Sequence, residues 1–136
     1  MSADIHEGGC LCGAVRYRCA ATPTGVEYCH CGMCRRSAGA PTVAWATFLA
    51  GAVTFTRGQP TIYASSERGR RGFCNHCGGA LTFQWSDKPE QIDVTVGSLD
   101  DPAVVPPRWH IFEADRVPWL TIHDDLPRYP ASRPKA

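Results

Sequence analysis

The densest chemistry in the chain lies in Tyr28-Cys29-His30-Cys31-Gly32-Met33-Cys34-Arg35-Arg36, where three thiols fall within six residues and two arginines follow at once. Thiolates at C-x-C-x-x-C spacing can wrap one metal ion from a single turn of backbone. Zinc bonds them at about 2.3 Å and takes four ligands in a tetrahedron. Three protein ligands, Cys29, Cys31 and Cys34, therefore leave a fourth position for water or a substrate thiol. An ion held in this way can lower the pKa of a bound thiol or polarise a carbonyl, and both effects suit the addition of a thiol to an aldehyde. Zinc with three thiolates carries a formal negative charge, which a fourth thiolate would increase. Guanidinium groups at Arg35 and Arg36 would offset it and could hold a carboxylate by paired hydrogen bonds.

Four other cysteines come as two pairs far apart in the chain, Cys10-Leu11-Cys12-Gly13 and Cys74-Asn75-His76-Cys77-Gly78. A glycine after a metal-binding turn permits positive φ and lets backbone N–H groups face the sulfurs. Two such knuckles commonly join into a closed four-thiolate site, so Cys10, Cys12, Cys74 and Cys77 are the expected ligands of a structural zinc. The energy of binding that ion becomes folding energy. Cys19 alternates with Val15 and Tyr17 and reads as a buried free thiol. A second sharing remains open, in which Cys19, His30, His76 or His110 closes the three-thiol site as another structural zinc. His30 lies between two ligands and is expected to point away from the metal. His76 reads as a loop residue and His110 as a buried histidine with its hydrogen bonds satisfied.

These residues must be positioned by a chain of 136 residues, expected to form one domain with a core over about 8–129 and a tail over 130–136 that frays. At this size roughly 68% of the unfolded surface is buried, enough for a real core. Thirteen glycines and eleven prolines point to many turns rather than long helices. Strands are expected over Ala14–Cys19, Thr42–Leu49 (with Val43, Trp45, Thr47 and Leu49 on one face), Val53–Thr56, Thr61–Tyr63, Leu81–Trp85 and Ile92–Val96. Arg35–Gly39 suits a short helical turn. Glu67-Arg68-Gly69-Arg70-Arg71 reads as a loop, either solvated or facing an anion. Many short strands at close intervals give an all-β sandwich.

Composition excludes several function classes. A net charge of +1 gives no general argument for nucleic acid, whose only support is Arg68, Arg70, Arg71 and the Arg35-Arg36 pair. No stretch approaches the roughly 18 apolar residues of a membrane span. The first nine residues contain no apolar core of a signal peptide. A cytoplasmic, reducing setting is therefore expected, in which eight cysteines hold metal rather than disulfides.

The order and surroundings of the cysteines resemble the glutathione-dependent formaldehyde-activating enzyme family, which also includes centromere protein V. The marks are Gly9-Cys10-Leu11-Cys12-Gly13, Cys29-His30-Cys31-x-x-Cys34-Arg35-Arg36 and Arg71-Gly72-Phe73-Cys74-x-x-Cys77-Gly78. Gly97-Ser98-Leu99-Asp100-Asp101-Pro102, His110-Ile111, Pro118-Trp119 and Leu126-Pro127 add to them. The resemblance implies a β-rich fold of the β-tent type. It also implies a structural zinc on Cys10, Cys12, Cys74 and Cys77, and a labile or catalytic zinc on Cys29, Cys31 and Cys34. The implied activity is that of a carbon–sulfur lyase joining glutathione, or another thiol, to an aldehyde such as formaldehyde, or cleaving the adduct. The alternative is a non-catalytic zinc module that carries thiols or binds other proteins.

Overall fold

Alternating apolar residues and closely spaced turns give ten short strands and one seven-residue helix in the computed structural model, which describes residues 4–134. Strands β1 (His6–Gly9), β2 (Arg16–Cys19) and β5 (Val53–Arg57) form a small antiparallel sheet in the order β1-β2-β5. The larger sheet holds β3 (Gly25–Cys29), β4 (Val43–Leu49), β6 (Thr61–Ala64), β7 (Gly69–Phe73), β8 (Ala80–Trp85), β9 (Gln91–Thr95) and β10 (Trp109–Ile111). Its order is β10-β3-β4-β9-β8-β7-β6, antiparallel except where β10 lies parallel to β3. Helix α1 (Gly32–Ala38) follows β3 directly. The fold is all-β with short helical turns.

Both faces of the large sheet are covered. Side chains alternate along a strand, so β4 sends Ala46 and Phe48 to one side and Val43 and Trp45 to the other. The first side meets the small sheet, where Tyr17, Cys19, Phe48, Leu81 and Val94 are fully buried. Burial pushes the Cys19 thiol up to about 12, so it stays neutral in this core. On the second side Cys29, Cys34, Val43, Trp45 and Ile111 cluster beneath α1. Val43, Trp45 and Thr47 do share a face, but Leu49 is exposed at the strand end.

Two expectations are corrected here. The basic run is a loop only over Glu67 and Arg68: from Gly69 it belongs to strand β7, Gly69–Phe73, paired with β6 and β8. Glycine fits at position 72 because a Cβ there would collide with Thr82 Oγ1. The tail from Pro130 does not fray over its described part. Phe112 N–H donates to the Ala131 carbonyl at 2.9 Å, and the Arg133 guanidinium lies 4.0 Å above the Trp109 ring. Residues 135 and 136 of the expected tail lie outside the described residues.

The contact between β7 and β8 makes a direct test. Gly72→Ala should cost about 1–3 kcal/mol by overpacking. Adding Thr82→Ala should recover part of that loss, and urea unfolding of both variants would measure it.

Candidate functional site

Two turns of like build face one another between the sheets. After β1, Cys10 N–H donates to the Val15 carbonyl at 3.0 Å, Val15 N–H donates to Cys10 Sγ at 3.3 Å, and Gly13 turns at φ 80°. After β7, the N–H groups of His76 and Cys77 reach Cys74 Sγ at 3.3 and 3.4 Å, and Gly78 turns at φ 79°. The turns bring Cys10, Cys12, Cys74 and Cys77 together, all four sulfurs lying within 4.8 Å of one another. Cys10 to Cys12 is 3.7 Å and Cys12 to Cys74 is 3.8 Å. A tetrahedron with bonds of about 2.3 Å has edges of about 3.8 Å, so the residues fit a four-coordinate zinc. Burial raises the Cys10 thiol, but the Val15 N–H and the facing sulfurs outweigh it and bring it down to about 6.

The second thiol group sits where β3 gives way to α1. Cys29 ends the strand, Cys31 caps the helix in an extended conformation, and Cys34 lies in the first turn with its N–H 3.2 Å from Cys31 Sγ. Gly39, left-handed at φ 64°, ends the helix. The Cys29 and Cys34 thiols, helped by the N–H groups of Cys34 and Met33, lower Cys31 to about 2, while Cys29 is pushed up. The three sulfurs form a group of their own within 4.8 Å, and among the described residues no fourth Cys, His, Asp or Glu joins it. Cys19 is in the other core, His76 is exposed in its turn, and His30 and His110 pair with each other.

The cation against these sulfurs is one that the spacing did not single out. Arg71 on β7 places Nη1 and Nη2 at 3.8 and 3.6 Å from Cys34 Sγ, is 9% exposed, and stacks 5.0 Å over the Phe83 ring. Arg35 and Arg36 follow on α1; Arg36 is exposed and reaches the cavity rim, while Arg35 does not line the cavity. Arg71 could have been suspected from its place three residues before Cys74. The run around it, however, offered three arginines of similar claim. Arg68 pairs with Asp87 and lies over Trp85, and Arg70 donates to the carbonyls of Ser66 and Glu67.

The three sulfurs open on a cavity of about 670 Å³ on the same face of the large sheet. Trp45, Phe83, Trp85 and Ile111 give it apolar walls, and Arg36, Arg71 and Arg133 bring positive charge. Glu27 and Asp93 bring half-buried carboxylates from the strands, and Asp115 adds an exposed one. Burial raises Glu27, against the Trp109 Nε1–H that donates to it at 2.8 Å. Burial likewise pushes Asp93 up to about 7, although Thr47 Oγ1 donates to it at 2.6 Å. Neither carboxylate was expected from the sequence, because both lie on polar positions of strands.

The model of the glutathione-dependent formaldehyde-activating enzymes matches residues 5–115. The chain belongs to that family. Within it, a Halomonas elongata protein assigned by name to the same enzyme type is 30% identical over 129 residues, covering 87% of this chain and 81% of its own. An uncharacterized lyase of Schizosaccharomyces pombe is 30% identical over 82 residues, or 60% of this chain and 59% of that one. A Rhodobacter sphaeroides protein of solved crystal structure superposes with a TM-score of 0.55 at 28% identity, over 75% of this chain and 92% of that one. Among the described residues no helix is long and apolar enough to cross a membrane.

Two outcomes follow from the site. A structural zinc supplies on the order of 10 kcal/mol, comparable to the whole stability of a domain. Cys74→Ser should therefore leave the chain unfolded by far-ultraviolet circular dichroism. Asp93 is raised by burial, so its stabilising contribution is present below the unfolded carboxylate value of about 4 and is lost as pH rises through about 7. The native protein should lose a few kcal/mol over that window, at about 1.4 kcal/mol per pH unit. Asp93→Asn should flatten the slope in urea unfolding at mildly acidic and mildly alkaline pH.

Proposed function

We propose that this family member is a carbon–sulfur lyase that joins the thiol of glutathione to a small aldehyde such as formaldehyde, or releases the aldehyde from that adduct. The observation that carries the reading is a three-sulfur group with no fourth Cys, His, Asp or Glu donor among the described residues, opening on a cavity lined by three arginines and the half-buried carboxylates of Glu27 and Asp93. A zinc ion on Cys29, Cys31 and Cys34 would supply a Lewis acid and a binding position for a substrate sulfur. Cys10, Cys12, Cys74 and Cys77 would hold a second zinc with a structural role only.

The remaining groups suit the thiol cosubstrate. Glutathione carries two carboxylates and one ammonium, and the cavity offers Arg36 and Arg133 for the former and Glu27 for the latter. Arg71, within 4 Å of Cys34 Sγ, offsets the negative charge of the sulfur group at a contact where both side chains are buried. As the C–S bond forms, the thiol loses its proton and the aldehyde oxygen gains one. Asp93 is the cavity group poised to exchange a proton near neutral pH. A cavity of this size falls in the usual range for small-molecule sites, about 300–1,000 Å³.

Cys31→Ser tests the reading because Cys31 is half-exposed and lies outside the four-sulfur turn. It should keep the circular dichroism of the native protein, lose one equivalent of zinc by elemental analysis, and lower adduct formation at least about 100-fold, followed by NMR of labelled formaldehyde with glutathione. Native protein that binds glutathione saturably but forms no adduct would make it a thiol-binding module instead.

A further inference from the structure

A third cluster lies on the side of β3 and β10 opposite the thiols. In the parallel pairing of these strands Tyr28 stands beside His110, while Cys29 stands beside Ile111 on the cavity side. The rings of Tyr28 and His110 stack with centroids 4.7 Å apart, while those of His30 and His110, with centroids 5.1 Å apart, lie nearly end to end across their facing nitrogens. Both histidines are fully buried. His30 Nε2 lies 2.9 Å from His110 Nδ1, and Glu113 Oε2 lies 3.5 Å from the first and 3.8 Å from the second.

Hydrogen bonding alone does not satisfy these three atoms. Asp124 Oδ2 lies 2.9 Å from His110 Nε2 and places the imidazole proton there, which leaves His110 Nδ1 as a lone-pair acceptor. Glu113 Oε1 accepts from Arg116 Nε and Arg128 Nη1, both at 3.1 Å, but Glu113 Oε2 is buried and has no hydrogen-bond partner. Two acceptors thus converge on one imidazole nitrogen. If His30 Nε2 carries a proton it can serve His110, and the carboxylate oxygen remains unpaired, a costly state for a buried anion. His30 Nδ1 is also unpaired, in either arrangement.

A cation at the centre would serve all three. A triangle with sides of 2.9, 3.5 and 3.8 Å has a point about 2.0 Å from every corner, the length of a zinc–imidazole or zinc–carboxylate bond. Two imidazoles and a carboxylate form a donor set for borderline divalent ions. The outer layer has the expected form as well, with a carboxylate on the far nitrogen of His110 and two guanidinium groups on the far oxygen of Glu113. The backbone also bends to make the third corner. Phe112 is left-handed at φ 53°, the one non-glycine residue with positive φ among those described, and it turns Glu113 back over the histidines.

We propose that His30 Nε2, His110 Nδ1 and Glu113 Oε2 form a third metal site, taking a divalent ion of the zinc class. It ties β3, β10 and the C-terminal segment through Asp124 and Arg128. It also holds, from the far side of the sheet, the backbone between Cys29 and Cys31. The proposal stands whether or not the three-sulfur group is catalytic.

Cadmium-113 NMR of the full chain, exchanged with ¹¹³Cd²⁺, separates this site from the others, since thiolate-bound cadmium resonates far downfield of cadmium held by nitrogen and oxygen. The native protein should give one upfield resonance of one equivalent, coupled to imidazole nitrogens, in addition to the thiolate signals. Glu113→Gln should lose it and keep the thiolate signals. Asp124→Asn, which frees His110 without removing a ligand, should weaken cadmium at that resonance about tenfold in a chelator competition. Native protein that shows thiolate signals alone at saturating cadmium would overturn the proposal, even if Glu113→Gln does not fold. An upfield signal unchanged in Glu113→Gln would overturn it as well.

Discussion

The period-two alternation of β3 and β4 is the constraint on which the molecule depends. In β3, Val26 faces the small sheet while Glu27 and Cys29 face the cavity; in β4, Ala46 and Phe48 face the first and Trp45 and Thr47 the second. A slip of one residue would exchange every side chain between the faces and put Cys29 among the apolar core residues. The pairs Val26 with Ala46 and Glu27 with Trp45 hold the register from both sides at once. The sheet thus separates an apolar core from a face that carries chemistry.

Charge on the cavity face is balanced by burial rather than by count. Arg35 and Arg36 are adjacent in sequence to the sulfurs but turn toward solvent and the cavity rim. Arg71 comes from β7, four places from β3 in the sheet, and it approaches Cys34 where both side chains are buried. A guanidinium there interacts with a thiolate far more strongly than one in solvent does. This is why an arginine distant in sequence has the closer electrostatic link to the site.

Features set by short spacing were legible in the sequence. The turns at Cys10–Gly13 and Cys74–Gly78 follow from cysteines close in sequence and a glycine free to turn; the helical turn expected over Arg35–Gly39 is there too, but the helix starts three residues earlier, at Gly32, because Cys31 Sγ caps it. Features set by strand pairing were not. His30 and His110 are 80 residues apart; the first reads locally as turned away from a metal and the second as an ordinary buried histidine, until β10 is laid parallel to β3. Glu27 and Asp93 sit on strands whose other residues look merely amphipathic. Gly69–Arg71 looked like part of a loop because its arginines and glycine have poor strand propensity, yet pairing on both sides imposes the strand.

The C-terminal segment has a further effect on how copies of this chain meet. An outermost strand normally leaves a row of backbone donors and acceptors able to recruit another chain. At β10 that row is already occupied: His110 N–H donates to the Pro127 carbonyl, Tyr129 N–H to the His110 carbonyl, and Phe112 N–H to the Ala131 carbonyl, each at 2.9 Å. Residues 127–131 therefore act as a lid on the sheet margin. They keep this margin from templating self-association, and a nick just before Pro127 would turn it into an adhesive one.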